Sequence, residues 1–298
     1  MNQKRALAGP LFFCHAGLMD MLQDLAREAL TRLKAVSLPA AGSPPQLLAC
    51  EGSRGLIRDA DGVREIELPS GDAMPRFDLT PLLDHTLLKP DATVDQVERL
   101  CDEAVQFSFA AVCVNPAWVA AAAERLRGTR VRVCTVAGFP LGATTALQKA
   151  FEASSALENG AAEVDAVLPI GAALGGDWTA VAAELALLRK AVPQDRVLKI
   201  ILETSLLDEA QKVQACRLVR DSGADFVKTS TGFSTGGATE ADVALLRQTV
   251  GAACGVKASG GIRSYVEALS MVRAGATRLG LSASIAVAQG AGSSTSGY

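Results

Sequence analysis

Three lysines lie inside apolar stretches of the sequence, where a charged side chain is unexpected. They are Lys199 in VLKIILET, Lys228 in DFVKTS and Lys257 in GVKASG. Burying an ammonium group costs several kcal/mol even after the protein relaxes. A single lysine near a strand end is usually a solvated side chain that extends along apolar surface. Three lysines in equivalent positions are better explained by one shared functional cavity.

The chemistry available to such a cluster is nucleophilic attack by an amine. A lysine is a nucleophile only when neutral, and its ordinary pKa is about 10.4. Desolvation and a neighbouring positive charge both lower that pKa. Two unit charges 4 Å apart repel by about 4 kcal/mol at an effective dielectric of 20, enough to lower a pKa by about 3. We therefore predict that Lys228 lowers the pKa of Lys199 and makes it a Schiff-base lysine.

An aspartate accompanies the lysines in a similar position. Asp165 lies in the apolar stretch EVDAVLP, which suits a role in proton transfer. The alternative is that Asp165 only neutralises one of the lysines. The sequence has two histidines, too few for a typical catalytic zinc site, and a second cationic lysine would repel a metal ion. We therefore expect no metal and no cofactor.

The elements that must position these residues alternate along the chain. Apolar runs that read as strands cover 82–88, 110–115, 131–139, 163–169, 197–204, 225–230, 255–260 and 277–282. Helical patterns cover 93–107, 116–127, 143–159, 178–191, 207–221, 238–252 and 264–274, and another follows the last strand. Eight such units predict an α/β fold, the closed (β/α)8 TIM barrel, whose active sites lie at the C-terminal ends of the strands. The runner-up, an open doubly wound sheet, would normally show a Gly-x-Gly-x-x-Gly motif, which is absent.

Glycine-rich loops follow the last three strands. Gly232 follows the sixth, Gly260 and Gly261 follow the seventh, and Ser282 follows the eighth. In this barrel the loops after the last two strands usually bind phosphate, because glycine lets backbone N–H groups approach an anion. Tight turns with no ligand are the alternative.

The chain divides into three segments. Residues 1–76 are predicted to be an N-terminal extension, partly helical (17–36) and partly flexible, with a hairpin around Asp61-Gly62. Residues 77–290 form the predicted barrel. The tail 291–298 is rich in Gly and Ser and is predicted to be flexible.

Composition excludes several classes of partner. The net charge of −3 provides no basic surface for nucleic acid. No apolar stretch approaches the roughly 20 residues that span a bilayer. The seven cysteines are scattered and odd in number, which favours reduced thiols. With no recognisable secretory signal, these features predict a cytoplasmic protein.

Seven motifs together resemble the deoxyribose-phosphate aldolase family of class I aldolases. They are DHTLLKPDAT, VCVNP, VAGFPLGATT, EVDAVLPIG, LKIILET, DFVKTSTGF and VKASGGIR, in that order over residues 80 to 290. The resemblance implies reversible cleavage of 2-deoxy-D-ribose 5-phosphate to acetaldehyde and D-glyceraldehyde 3-phosphate, in deoxyribonucleoside catabolism. It also implies a homodimer or homotetramer whose partners are a small sugar phosphate and an aldehyde.

The same resemblance assigns roles to residues. Lys199 matches the Schiff-base lysine, Lys228 the second lysine and Asp165 the aspartate of the proton relay. The implied substrate-binding residues are Asp84, Thr86, Cys113, Gly232, Gly260, Gly261 and Ser282. Ala283 departs from relatives that carry a second serine there. Tyr298 matches a C-terminal tyrosine that assists proton transfer in some relatives, with a frayed chain end as the alternative.

Two other functions remain open from the sequence. One is a Schiff-base aldolase that acts on a longer sugar phosphate. The other is a barrel without catalytic activity that binds a partner through its N-terminal helix. The lysine pair and Asp165 argue against the second.

Overall fold

A computed structural model of the protein describes residues 45–51, 54–59, 62–67 and 76–290. Near its N-terminus, three strands form an antiparallel sheet in the order β1 (Gln46–Glu51), β2 (Arg54–Asp59) and β3 (Gly62–Glu67). The pairing of Asp59 with Gly62 confirms the predicted hairpin. The predicted helix 17–36 and the tail 291–298 lie outside the described residues.

The sheet is attached to the main core of the protein. Leu47 and Ile57 are almost completely buried and belong to the same apolar cluster as Phe77 and Leu79. The backbone also joins it, since the Leu47 N–H donates to the Asp78 carbonyl at 3.1 Å. This part of the extension therefore shares its apolar core with the rest of the chain.

Eight parallel strands close into a barrel, as the alternating pattern predicts, and exclude the open sheet. They are β4 (Leu83–Leu87), β5 (Ala111–Val114), β6 (Arg132–Ala137), β7 (Glu163–Val167), β8 (Val197–Ile201), β9 (Phe226–Lys228), β10 (Gly255–Ser259) and β11 (Arg278–Leu281). Each strand pairs with the next along the chain, and β11 pairs with β4.

Helices follow the barrel strands. They are α1 (Val94–Gln106), α2 (Val119–Arg125), α3 (Ala146–Glu158), α4 (Ile170–Leu174), α5 (Trp178–Ala191), α6 (Glu209–Asp221), α7 (Glu240–Val250), α8 (Tyr265–Arg273) and α9 (Ser284–Gln289). Thr93 and Gln96 form a capping box at α1, and Thr145 caps α3 by accepting the Gln148 N–H. Both caps satisfy donors that the first helical turn leaves free.

Strand β8 shows how the fold separates apolar from charged side chains. Successive side chains of a strand point to opposite faces. Leu198 and Ile200 belong to the apolar core shared with the helices, whereas Lys199 reaches the carboxylates of the barrel interior. The apolar residues on either side of Lys199 therefore fix the strand and aim the lysine inward.

A buried ion pair outside the barrel supports the strand that carries Asp165. Lys149 of α3 is fully buried, and its Nζ lies 2.5 Å from Glu184 Oε1 of α5. The same Nζ donates to the carbonyl of Val167, the last residue of β7, at 2.7 Å. The pair joins two helices to the C-terminal end of that strand.

Candidate active site

One carboxylate binds all three of the buried lysines. Asp165 Oδ1 lies 2.8 Å from Lys199 Nζ. Asp165 Oδ2 lies 2.8 Å from Lys228 Nζ and 2.8 Å from Lys257 Nζ. The four residues are at most 3% exposed, so these charges lie almost entirely out of solvent. Asp165 is thus placed to exchange protons with any of three amines.

A second set of charges surrounds this centre. Glu163 Oε2 lies 2.6 Å from Lys199 Nζ, closer than either oxygen of Asp165. Arg278 contacts Glu163 at 2.8 Å and Asp84 at 3.1 Å. Asp84 in turn lies 2.5 Å from Lys257 Nζ. We call these seven residues the central cluster: Asp84, Glu163, Asp165, Lys199, Lys228, Lys257 and Arg278.

Strand register explains why these side chains meet. Asp165 pairs with Lys199 across β7 and β8, and Lys257 pairs with both Lys228 and Arg278 on its two neighbours. Gly280 makes room for Lys257, because a Cβ there would lie 2.8 Å from Lys257 Cε. Glycine at that position is therefore needed for packing inside the barrel.

Two thiols complete the interior beside Lys199. Cys134 Sγ lies 3.3 Å from Lys199 Nζ and 3.2 Å from Asp165 Oδ1. Its neighbour across β5 and β6 is Cys113, which is also fully buried. A hydrogen bond with Cys134 lowers the pKa of Cys113, whereas burial raises the pKa of Cys134.

The predicted electrostatic effect on Lys199 is wrong in direction. Burial alone would lower the pKa of Lys199, but Asp165, Cys134 and Glu163 together hold it well above its ordinary value. The sequence predicts that repulsion by Lys228 dominates the pKa of Lys199. Instead, the carboxylate of Asp165 bridges the two amines, and Glu163 adds a second negative charge. In the ligand-free protein Lys199 is therefore an ammonium group.

The pKa values of two carboxyl groups in the cluster are lowered, whereas that of Lys199 is raised. Burial would raise the pKa of Asp165, but Lys199, Lys228 and Lys257 hold it well below its usual range. Burial likewise opposes the effect of Arg278 and Lys199 on Glu163, whose pKa is also lowered. Both carboxyl groups are therefore ionised in the ligand-free protein.

The glycine-rich loops meet at the C-terminal end of the barrel. Gly232, Gly260 and Gly261 all have positive φ, between 82° and 88°. A Cβ on Gly232 would lie 3.8 Å from Gly260 Cα, so the two loops are adjacent. Within the described part of the chain, no hydrogen bond uses the N–H groups of these three glycines. Ser282 is exposed directly after β11.

The remaining candidate residues divide into those near the cluster and one outside the described chain. Asp84 belongs to the central cluster. Thr86 is half-buried, donates its hydroxyl to the Asp84 carbonyl at 2.9 Å and pairs with Cys113 across β4 and β5. Tyr298 lies outside the described residues.

The sequence predicts that Lys257 shares the cavity but assigns it no individual role. Three further residues that contact the predicted ones were missed: Glu163, Arg278 and Cys134. Glu163 precedes Asp165 by two positions, so it shares the same strand face. The alternation of side chains along this strand is the sequence signal that identifies Glu163 as facing the barrel interior.

Sequence comparisons with known proteins place the barrel in a family. The profile of the DeoC/LacD family aldolases matches residues 79–293. The deoxyribose-phosphate aldolase of Lactococcus lactis subsp. lactis (strain IL1403) is 54% identical over 208 residues, which cover 70% of this chain and 94% of that protein.

Solved structures show the same fold. A crystal structure from Coccidioides immitis has a TM-score of 0.70 at 34% identity and covers 90% of this chain and 96% of that one. The tetrameric deoxyribose phosphate aldolase from Aeropyrum pernix has a TM-score of 0.65 at 36% identity, covering 71% and 89%.

The closed eight-stranded barrel is the fold of these aldolase relatives. The profile match covers well over half of the chain, and its relatives are more than half identical to it. The chain belongs to the DeoC/LacD family of aldolases, and it is a carbon–carbon lyase.

Proposed function

We propose that the protein catalyses the reversible aldol cleavage of 2-deoxy-D-ribose 5-phosphate to acetaldehyde and D-glyceraldehyde 3-phosphate through a Schiff base on Lys199. The substrate follows from the names of relatives such as that of Lactococcus lactis. The observation that carries the mechanism is the position of Lys199 Nζ, fully buried and 2.8 Å from Asp165. A buried amine beside a proton acceptor is the arrangement that Schiff-base catalysis needs.

In the proposed reaction the amine of Lys199 forms a covalent intermediate with the substrate and is restored at the end. The neutral amine of Lys199 attacks the C1 aldehyde, and loss of water gives an iminium ion. The C2–C3 bond then breaks as the C3 hydroxyl loses its proton, directly or through water, to Asp165. The electron pair passes to the iminium, which leaves an enamine and releases D-glyceraldehyde 3-phosphate. Protonation at C2 and hydrolysis release acetaldehyde and restore the amine.

The charge balance of the central cluster supports this use of Lys199. It contains four basic groups but only three carboxylates, so one basic group is in excess. Loss of one proton from an amine leaves the cluster balanced and creates no uncompensated buried charge. Lys228, which shares Asp165, is proposed to keep a positive charge beside the reacting centre.

The other candidate residues surround the proposed substrate path. Asp84, Thr86 and Cys113 would line the part that receives the aldehyde carbons. Gly232, Gly260, Gly261 and Ser282 would bind the phosphate, since unbonded N–H groups at positive φ form a concave anion site. Tyr298 is proposed as an additional proton donor from the tail.

The decisive experiment is reductive trapping. Incubation with acetaldehyde and sodium borohydride is expected to attach one ethyl group to Lys199, located by peptide mapping. Activity is expected to survive EDTA. No adduct, or an adduct on another lysine, would contradict the assignment. Cleavage rates measured over several phosphorylated sugars will separate this substrate from a longer one, the alternative specificity.

Replacing Glu163 by glutamine is expected to shift the pH profile of kcat/KM to lower pH. In the free enzyme Lys199 must lose its proton before it attacks, so kcat/KM rises with pH towards the pKa of Lys199. Glu163 contributes to the raised pKa of Lys199, and removing its charge lowers that pKa. The rise should therefore begin at lower pH than in the wild type.

The matched control is Glu103→Gln. Glu103 pairs with His85 at 2.8 Å and does not contact Lys199, so its removal should leave the profile in place. An unchanged profile for Glu163→Gln, or a shift to higher pH, would show that Glu163 does not hold the proton on Lys199.

We also propose that the protein forms a homo-oligomer. A homodimer or homotetramer is supported by the tetrameric Aeropyrum pernix relative and by the exposed side chains of Leu141 and Phe151, which line a cavity of about 480 Å³. Light scattering that gives a monomer at assay concentrations would refute it.

No helix of the described residues is long and apolar enough to cross a membrane. Buried free thiols support a cytoplasmic location, which cell fractionation can test.

A further inference from the structure

Glu203, two residues after the end of the strand that carries Lys199, combines two unfavourable features. Its backbone is left-handed, with φ 57° and ψ 64°, and among the described residues Ser108 is the only other non-glycine with positive φ. Its side chain is only 2% exposed. Backbone strain of this kind persists where the surrounding structure enforces it, often at functional sites. Glu203 therefore needs an explanation beyond the fold.

The carboxylate of Glu203 is bound to the loop after the next strand. Glu203 Oε2 accepts the Thr231 N–H at 3.2 Å and the Thr231 hydroxyl at 2.5 Å. The same hydroxyl oxygen accepts the Phe233 N–H at 3.1 Å. The N–H groups on both sides of Gly232 are thus tied, directly or through Thr231, to one carboxylate.

This arrangement leaves the N–H of Gly232 as the unbonded donor of the turn. A Cβ on Gly260 would lie only 3.4 Å from Gly232 Cα, so the position of the turn also sets its distance from the next glycine loop. The hydroxyl of Ser230, just before the turn, is buried without a partner in the described part of the chain. Two unbonded donors, the Gly232 N–H and the Ser230 hydroxyl, therefore lie within this short segment.

The charge of Glu203 cannot itself attract a phosphate, because like charges repel. A carboxylate is, however, the strongest available acceptor for an N–H and a hydroxyl together. Its presence next to a loop that is proposed to bind an anion is therefore best explained by the geometry it imposes on that loop.

We propose that Glu203 is a positioning residue that holds the turn Thr231–Phe233 so that the Gly232 N–H faces the phosphate of the substrate. It joins the end of the strand that carries Lys199 to the phosphate loop. The inference rests on the proposed function, because it requires a phosphorylated substrate.

The test compares phosphorylated and unphosphorylated substrates in two variants. Glu203→Gln weakens the acceptor, and Thr231→Val removes the hydroxyl that links Glu203 to Phe233. Each is expected to raise KM for 2-deoxy-D-ribose 5-phosphate about tenfold, because the loss of one charge-assisted hydrogen bond changes affinity by about that factor. Each should change kcat/KM for 2-deoxy-D-ribose less than about twofold. The KM of the double variant for the phosphorylated sugar should be no higher than that of the more impaired single variant, because both substitutions break the same connection.

Controls separate this role from general loop stability. Glu152 accepts the Gly138 N–H at 2.7 Å in a different loop, so Glu152→Gln should leave KM for both substrates unchanged. Thr231→Ser keeps the hydroxyl and should retain the wild-type KM. If Glu203→Gln folds poorly, the comparison of Thr231→Val with Thr231→Ser still tests whether the Thr231 hydroxyl positions the phosphate loop.

The outcomes distinguish the inference from the proposed function. A wild-type enzyme with no preference for the phosphorylated sugar refutes the phosphate site and the inference with it. A wild-type preference that survives in both Glu203→Gln and Thr231→Val overturns the inference alone. Equal losses with both substrates would also overturn it, since they indicate a general structural role.

Discussion

Replacing Lys199 by methionine is expected to lower kcat by about 10⁴-fold or more while leaving the protein folded. Methionine has a similar length but no amine, so no covalent intermediate can form, and only binding and the remaining charged groups contribute. The fold should tolerate the change. Without Lys199, Asp165 keeps Lys228 and Lys257, and Glu163 keeps Arg278, so basic and acidic groups become equal in number.

Three measurements check this result. Steady-state cleavage gives kcat, borohydride trapping reports the loss of the adduct, and chemical denaturation gives the free energy of unfolding. Lys190→Met is the matched control, because Lys190 is an exposed lysine of α5. Activity within tenfold of the wild type, or an adduct that moves to Lys228 with activity retained, would show that Lys199 is not the nucleophile.

Replacing Asp165 by asparagine is expected to lower kcat by about 10²- to 10⁴-fold, the usual contribution of a general acid–base group. It should also destabilise the protein by about 3–5 kcal/mol, because it removes one partner from buried charge pairs. Three lysines lose a counter-ion at once. The loss of that charge lowers the pKa of Lys199 and Lys257, whose pKa values Asp165 raises.

Isotope exchange separates the two interpretations of Asp165. If Asp165 moves protons, Asp165→Asn should still be trapped on Lys199 by acetaldehyde and borohydride but should exchange the methyl protons of acetaldehyde with D2O far more slowly. NMR follows this exchange. If Asp165 is only a counter-ion, exchange should keep pace with trapping. Asp165→Glu, which keeps the charge, should recover stability more fully than activity.

Much of the barrel could be predicted from the sequence because strand and helix patterns are local. Alternating apolar runs and helical periods located the eight strands, and barrel geometry then brought Lys199, Lys228 and Asp165 together. The strand β1 was missed, because its apolar run in QLLACE follows a Pro- and Gly-rich stretch that reads as a linker.

The electrostatics of the site could not be predicted in the same way. The pKa of Lys199 depends on how many carboxylates reach its Nζ. Glu163 lies on the neighbouring strand β7, two residues before Asp165, whereas Asp84 lies on β4 and reaches the lysine only because the barrel closes. A count of neighbouring positive charges was therefore misleading. The role of Glu203 was equally hidden, since a left-handed backbone has no sequence signature in a non-glycine residue.

The central cluster is divided between the two halves of the barrel by sign of charge. The first four barrel strands, β4 to β7, carry all three of its carboxylates, Asp84, Glu163 and Asp165. The last four carry all its cations, Lys199, Lys228, Lys257 and Arg278. A fragment that contains one half would bring like charges together if it paired with a copy of itself. Each half is thus electrostatically matched to the other, which favours correct association of split fragments over self-association.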